Sequence, residues 1–176
     1  MPTTGAERPA VVLRPLVPAD AGTIGRDLDD FEIARWTARI PHPYPPGAAE
    51  AYLAEAAASD EVGSSLHRAI TLAGDDTLLG IISLFGMTGD GSAEVGYWLA
   101  RRHWGRGIAG EALRALVALA RARGLTRLTA QVMTDNARSI GVLTGAGFVK
   151  DAGWSAPREN VVGVRTCGAG YVLDLG

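Results

Sequence analysis

The stretch Arg101-Arg102-His103-Trp104-Gly105-Arg106-Gly107-Ile108-Ala109-Gly110 constrains this chain more than any other. An apolar run, Ala93 to Ala100, precedes it and reads as a strand. An amphipathic helix pattern follows, Gly110 to Arg123. Strand, glycine loop and helix in that order have a physical consequence. Glycines let the backbone approach a ligand closely, because they carry no Cβ and tolerate positive φ. The first helical turn presents N–H groups without intrahelical partners and the positive end of the helix dipole. Together they predict a pyrophosphate cradle built from the backbone of Gly105, Arg106, Gly107, Ile108, Ala109 and Gly110. The Arg102 and Arg106 guanidinium groups can add charge-assisted bonds to phosphate.

Two ligand readings compete at this loop, beside a plain glycine turn that binds nothing. Gly105-Arg-Gly107-Ile-Ala-Gly110 has the spacing G-x-G-x-x-G of dinucleotide sites. That motif belongs directly after the first strand of a parallel sheet. Here Arg101 to Trp104 separate strand from glycine, and most of the N-terminal half of the chain comes first. The alternative spacing is Arg102-x-x-Gly105-x-Gly107, which suits a different diphosphate.

Composition limits the remaining classes. The chain has 176 residues, 47% of them hydrophobic, which is enough for one domain with a proper core. The net charge of −2 leaves no basic footprint for nucleic acid. Lys150 is the only lysine, so arginine carries nearly all the positive charge. The single cysteine, Cys167, has no internal disulfide partner and fits a reducing compartment. No secretory leader and no membrane-spanning apolar run is evident, so a cytoplasmic protein is expected. No metal-ligand spacing stands out.

In chain order, residues 1–10 read as a loose tail and 11–176 as one domain. Val11–Leu16 reads as a strand. Asp20 is an expected N-cap for a helix through Ala21–Thr37. Ile40-Pro-His-Pro-Tyr-Pro-Pro-Gly47 is an extended loop, and Ala48 to Ser59 a second helix. Ser65–Ala73, Leu78–Phe85 and Ala93–Ala100 form an antiparallel meander. The loop helix then crosses to a parallel strand, Leu125–Met133. Asn136 caps a short helix, Ala137–Gly145, and two further strands begin at Gly147 and Gly170. The order β-α-α-β-β-β-α-β-α-β-β predicts a mixed α/β (α+β) fold: a mostly antiparallel sheet flanked by helices.

That order and the Arg102–Gly107 loop resemble the GNAT superfamily of N-acyltransferases. Asn136-x-x-Ser139-x-x-x-Leu143 through Gly147-Phe148 is similar to the family segment that lines the pantetheine arm. Leu13-Arg-Pro-Leu16, Ile40-Pro-His-Pro-Tyr44 and Glu94-Val-Gly-Tyr-Trp-Leu99 resemble the ribosomal-protein N-terminal acetyltransferase (RimJ/RimL) branch.

The resemblance implies an acetyl-CoA-dependent N-acetyltransferase acting on a primary amine. The acceptor is a protein N-terminal α-amine or, alternatively, a small amine such as a polyamine or aminoglycoside. A non-catalytic acyl-CoA-binding module is the other alternative, and homodimers are common in the family. The strand holding Tyr97, Trp98 and Leu99 is expected to splay from Leu125–Met133 and bind pantetheine through its backbone, with a nearby N–H at the thioester oxygen. Gly96 in mid-strand fits a close backbone approach. Glu94 is the expected general base, directly or through water. Relatives often carry a proton-donating tyrosine where this chain has Leu143, so Ser139 becomes the candidate partner of the thiol. Asn136 is expected both to cap its helix and to touch the pantetheine arm. Trp36 and Tyr44, with His42 and Trp154, are expected at the acceptor pocket, and Asp29, Asp30 and Glu32 are placed to attract a cation.

Overall fold

A computed structural model describes residues 10–87 and 89–176; the expected tail lies almost wholly outside them. Seven strands form one sheet: β1 (Val11–Pro15), β2 (Leu66–Leu72), β3 (Asp75–Phe85), β4 (Ser92–Leu99), β5 (Arg127–Met133), β6 (Val149–Glu159) and β7 (Arg165–Asp174). The helices are α1 (Ala21–Leu28), α2 (Phe31–Ala34), α3 (Ala48–Glu61), α4 (Ile108–Ala122) and α5 (Ala137–Gly145). The strand order is β1-β2-β3-β4-β5-β7-β6. Every neighbouring pair is antiparallel except β4 and β5, which the α4 crossover joins in parallel.

The sheet is covered on both faces, and its sequence shows why. Leu78 to Leu84 in β3 are all buried, an apolar run interrupted only by Ser83, as in a strand without a solvent face. One face packs against α4, whose Ile108, Leu113 and Leu116 are fully buried against Ile82, Leu84, Val95 and Leu128. Each such side chain stabilises the fold by roughly 1.5–3 kcal/mol. The opposite face packs Ala69, Leu78 and Ile81 against Ile24, Leu28 and Ile33 of the N-terminal helices. Strand alternation sends Tyr97 and Leu99 to the α4 face and Trp98 to the α1–α3 face.

Three expectations are corrected. The single helix expected over Ala21–Thr37 is two, broken at Asp29–Asp30. Asp30 adopts an extended backbone, and its carboxylate accepts the Glu32 N–H, so it starts a new helix rather than continuing the old one. Asp20 does not cap α1. Its carboxylate takes a two-pronged bond from Arg14 at 2.9 and 2.7 Å and the Val17 N–H at 2.9 Å. The last two strands are longer than their turn signals suggest and form a hairpin of 11 and 10 residues. Gly168 and Gly170 make room there, because a Cβ on either would meet the Trp154 side chain at 3.2 and 3.0 Å. Among the described residues, no helix is long and apolar enough to cross a membrane.

Candidate active site

The sheet is open at one place. β4 and β5 pair from Ser92–Arg127 to Val95–Ala130 and no further. Beyond that point, β4 stays bonded to β3 as far as Leu99–Gly80. β5 stays bonded to β7 as far as Met133–Gly168. Two strands held on their outer edges and released from each other leave a wedge with free backbone groups. The Ala100 N–H bonds the Leu79 carbonyl, so alternation also turns Trp98 and Gly96 toward β3. Tyr97 and Leu99 therefore point their backbone N–H groups into the wedge. The Leu99 carbonyl accepts the Trp104 indole N–H at 2.7 Å. Gly96 sits where the strands part, and a Cβ there would come within 2.8 Å of the Phe85 ring.

The glycine loop stands at the mouth of the wedge. Arg101–His103 form a short 3₁₀ turn, and Gly105 and Gly107 then take φ of +73° and +78°. Both glycines have open space where a side chain would project. Two left-handed residues in close succession turn successive N–H groups toward one side, the geometry of an anion nest. The first bond into α4 runs from Glu111 N–H to Gly107 C=O. The N–H groups of Ile108, Ala109 and Gly110 thus have no carbonyl inside the helix to accept them. Gly105, Arg106 and Gly107 are exposed and Ile108 is core, which fixes the cradle against the sheet.

The arginines divide their work. Arg106 is exposed at the loop tip. Arg102 is held by Asp27, which takes both guanidinium nitrogens at 2.8 Å. Burial pushes the Asp27 carboxyl up, but bonds and charge from Arg102 and Arg26 overcome this and hold it below the ordinary range. Arg101 pairs with Asp30 at 2.9 Å. Two ion pairs therefore tie the cradle to the α1–α2 turn. Burial lowers the neighbouring His103 pKa, and Arg102 and Arg106 lower it further, so this imidazole stays neutral near pH 7.

Asn136 caps α5 by accepting the Ser139 N–H at 3.1 Å. The Ser139 hydroxyl lies 2.7 Å from the Tyr97 hydroxyl. Leu143 is 1% exposed and belongs to the core. Arg138 stacks on Trp104, 4.7 Å from the ring centroid, and joins α5 to the loop. Trp98 offers the wedge no backbone group, and its side chain lies on the opposite face.

Glu94 is exposed on the α1–α3 face, where it accepts a bond from the Gln131 amide at 3.3 Å. Tyr44 is half-buried against the helices of that face, while Arg35 stacks on Trp36 at 4.8 Å. The acidic residues are engaged locally: Asp29 accepts the Tyr44 N–H at 3.0 Å, and Glu32 pairs with Arg35 at 3.3 Å. A cleft of about 830 Å³ lies between this turn and the loop, lined by Asp29, Asp30, Phe31, Ala100 and Arg101 among others. Trp36 and Tyr44 are not part of its lining. Trp154 packs on its own hairpin.

Three features escaped the sequence. Nothing local marks Asp27 as the partner of Arg102, 75 positions away. Nothing local pairs the Tyr97 and Ser139 hydroxyls, 42 positions apart. Asn160, at the tip of the β6–β7 hairpin, is buried and donates to the Ala34 and Arg35 carbonyls at 3.2 and 3.0 Å. Asn before Gly163 signals a turn, but its reach to α2 has no sequence signature.

A sheet opened between two parallel strands, with an anion cradle at the foot of their crossover helix, is the architecture of an acyl-CoA acyltransferase. The chain belongs to the acetyltransferase (GNAT) domain family, whose model matches residues 10–149. A probable N-acetyltransferase, YjcK of Bacillus subtilis, is 39% identical over 104 residues, 57% of this chain and 56% of that protein. The ribosomal-protein-serine acetyltransferase of Escherichia coli is 36% identical over 77 residues, 43% of each. The matched stretches thus span about half of these relatives or less. Mycobacterium smegmatis RimJ in complex with CoA-disulfide superposes with a TM-score of 0.82 at 25% identity, over 93% of this chain and 81% of that one. The Vibrio cholerae spermidine N-acetyltransferase with CoA and spermine has a TM-score of 0.79 at 17% identity, over 94% and 95%; it speaks to the fold alone.

Proposed function

We propose that this protein transfers an acetyl group from acetyl-CoA to a primary amine, and that the amine is the α-amine of a protein N-terminus. The observation that carries the reading is the wedge between β4 and β5 opening onto the Gly105–Gly110 cradle. The two fit the two ends of one ligand. The cradle, with Arg106, would hold the pyrophosphate through the N–H groups of Gly105, Arg106, Gly107, Ile108, Ala109 and Gly110. The wedge would take the pantetheine arm as an added strand, with Asn136 and Ser139 alongside. Acetyl-CoA supplies the activated acyl group as a thioester.

The chain's own residues then have distinct tasks. Glu94 accepts the proton of the incoming ammonium, directly or through one water. An α-amine with a pKa near 8 needs little help, whereas a lysine near 10.4 needs far more. Tyr97 and Leu99 offer N–H groups in the wedge to the oxyanion that forms when the amine attacks. Ser139 supplies a hydroxyl for the departing sulfur. The RimJ-like overall likeness and the relation to a ribosomal-protein-serine acetyltransferase favour a protein N-terminus. A small amine is the second reading, for which the Asp29 carboxylate at the 830 Å³ cleft is the candidate contact, Asp30 there being paired with Arg101. Cytoplasmic location is an expectation from the sequence, and pairing with a second copy is one that the family resemblance implies.

Thermal shift with acetyl-CoA, CoA and NADPH, followed by turnover on Ser- and Ala-starting peptides and on polyamines, tests the proposal. The expected result is stabilisation by the CoA ligands and acetylation of the peptides. A hundredfold excess over Kd raises stability by roughly 2.7 kcal/mol. Turnover on polyamines alone overturns the acceptor assignment. Binding without turnover on either panel supports a non-catalytic acyl-CoA module. A shift with NADPH alone overturns the whole reading.

A further inference from the structure

A phenol reaches the Ser139 hydroxyl from the unpaired end of β4. We propose that Tyr97 is a positioning residue for the leaving thiolate: its hydroxyl donates to Ser139 Oγ and frees the Ser139 O–H to bond the sulfur. This rests on the acetyltransferase reading.

Three observations carry it. Tyr97 lies in the unpaired half of β4, so its backbone borders the wedge while its ring crosses to the α5 side. Its Oη is 2.7 Å from Ser139 Oγ and 3.5 Å from the Ser139 carbonyl. At those distances the hydroxyl–hydroxyl bond dominates. Ser139 itself is anchored, because its N–H is held by the Asn136 cap. Its side chain therefore has a fixed origin, and Tyr97 selects which way the serine proton points.

The direction of the bond follows from chemistry. Burial drives the Tyr97 phenol up to about 12, against the hydrogen bond to Ser139 that lowers it. The phenol keeps its proton at neutral pH, and either hydroxyl could donate; a phenol is a stronger acid than an aliphatic hydroxyl and so the better donor of the two. Ser139 Oγ accepts that proton in a hydrogen bond and has its own proton left to give. During transfer the C–N bond forms, the C–S bond breaks, and the electron pair goes to sulfur. The ammonium loses one proton to Glu94 before attack and a second on forming the amide, the thiolate gains one, and the other is released to solvent. The Tyr97–Ser139 pair stabilises the thiolate until its proton arrives. No net transfer from Tyr97 is required.

The test needs no acceptor. Ionisation of the free CoA thiol raises the far-ultraviolet absorbance, and the same titration can be run on CoA bound to the protein, with the CoA-free protein as the blank for its tyrosines. Cys167 is exposed, so a Cys167→Ser background removes its signal. In that background Tyr97→Phe is expected to weaken bound-thiol ionisation by about three- to tenfold, the scale of one lost hydrogen bond. Ser139→Ala should weaken it at least as much, and Tyr97→Phe should add nothing to Ser139→Ala. Uniform 3-fluorotyrosine, which makes the phenol a stronger donor, should shift ionisation the other way and keeps the test alive if Tyr97→Phe does not fold. A Tyr97→Phe titration identical to the parent, with Ser139→Ala shifted, overturns the proposal. A fluorotyrosine protein with an unchanged titration does the same. Failure of the parent to bind CoA overturns instead the acetyltransferase reading beneath it.

Discussion

The two faces of the wedge are built by different means. On the α4–α5 side, the parts that would hold the donor are local stretches: β4, the glycine loop and the start of α4 run on without a break, and the Asn136 cap with Ser139 follows β5. Backbone conformation does most of the work there. On the α1–α3 side, distant segments are joined by side chains. Asp27 reaches Arg102, Asp30 reaches Arg101, and Asn160 reaches Ala34 and Arg35 across 126 and 125 positions. A ligand that never varies can be held by local backbone geometry. An acceptor that varies between relatives is framed by contacts that a few substitutions can rearrange.

The sharpest test of the backbone-built half is Gly80. It sits opposite Leu99, where β3 alone supports the released end of β4. A Cβ at Gly80 would collide with the Trp98 carbonyl and lie 2.8 Å from the Leu99 Cα, both rigid backbone. Gly80→Ala is expected to destabilise the protein by about 3 kcal/mol or more, since the clash must be relieved by moving a strand. Chemical denaturation measures it. A loss below 1 kcal/mol would mean that β4 is not pinned there and that the wedge is not rigid.

Gly107→Glu probes the cradle itself. The open space around Gly107 lets a side chain fit, so the fold should survive with about 1–2 kcal/mol of left-handed strain. The carboxylate, however, would project into the nest meant for phosphate. Acetyl-CoA affinity is expected to fall at least a hundredfold, about 2.7 kcal/mol, as read by calorimetry. Retained affinity would place the anion site elsewhere.

The same contrast explains what was legible in the residues. The cradle, the parallel crossover and the Asn136 cap rest on glycine conformation, helix ends and hydrophobic period, all of which act over a few residues. The Gly105–Gly107 turn, the β4–α4–β5 crossover and the Asn136 cap all fall within the stretches expected for them. The helix break at Asp29–Asp30 was hidden because Asp is merely a weak helix former until its carboxylate caps the next turn. The Arg102 side chain was readable as a phosphate ligand only while its partner, Asp27, was unknown. Burial of that carboxylate is a tertiary fact. Which of Tyr97, Trp98 and Leu99 turn their backbone toward the wedge is settled only by the bonding to β3, which period-two alternation alone does not give.

Asp27→Asn weakens the first long-range tie. The Asp27 side chain is nearly fully buried between Arg102 and Arg26. Its loss should cost about 1.5–3 kcal/mol, the range of hydrogen bonds to charged groups. The pH dependence has a definite sign. The folded carboxyl is held below its unfolded value of about 3.9, so its contribution is present above that pH. It is lost as pH falls through the folded value. Asp27→Asn should therefore flatten the acid limb of stability below about pH 4 and leave Asp20, held low by Arg14, to supply the remaining slope. An unchanged acid limb would show that Arg102 is free to serve phosphate after all.

Asn160→Ala loosens the second tie, with the smallest effect on folding. Its amide donates to the Ala34 carbonyl of α2 and to that of Arg35 just beyond it, and its oxygen accepts the Val162 and Val164 N–H groups at 3.2 and 2.9 Å. The hairpin tip has exposed neighbours, so water can reach the freed groups and the cost should be only about 1 kcal/mol. The effect on acceptor binding should be larger than this implies. α2 carries Phe31, which lines the cleft, and the latch fixes α2 to the hairpin. Acceptor KM is expected to rise several-fold while acetyl-CoA affinity stays unchanged, because no donor-side group touches Asn160. Equal losses for both ligands would break the division between a backbone-held donor and a side-chain-framed acceptor. An acceptor-only loss would make the hairpin the first place to look for what distinguishes this protein's substrate from those of its relatives.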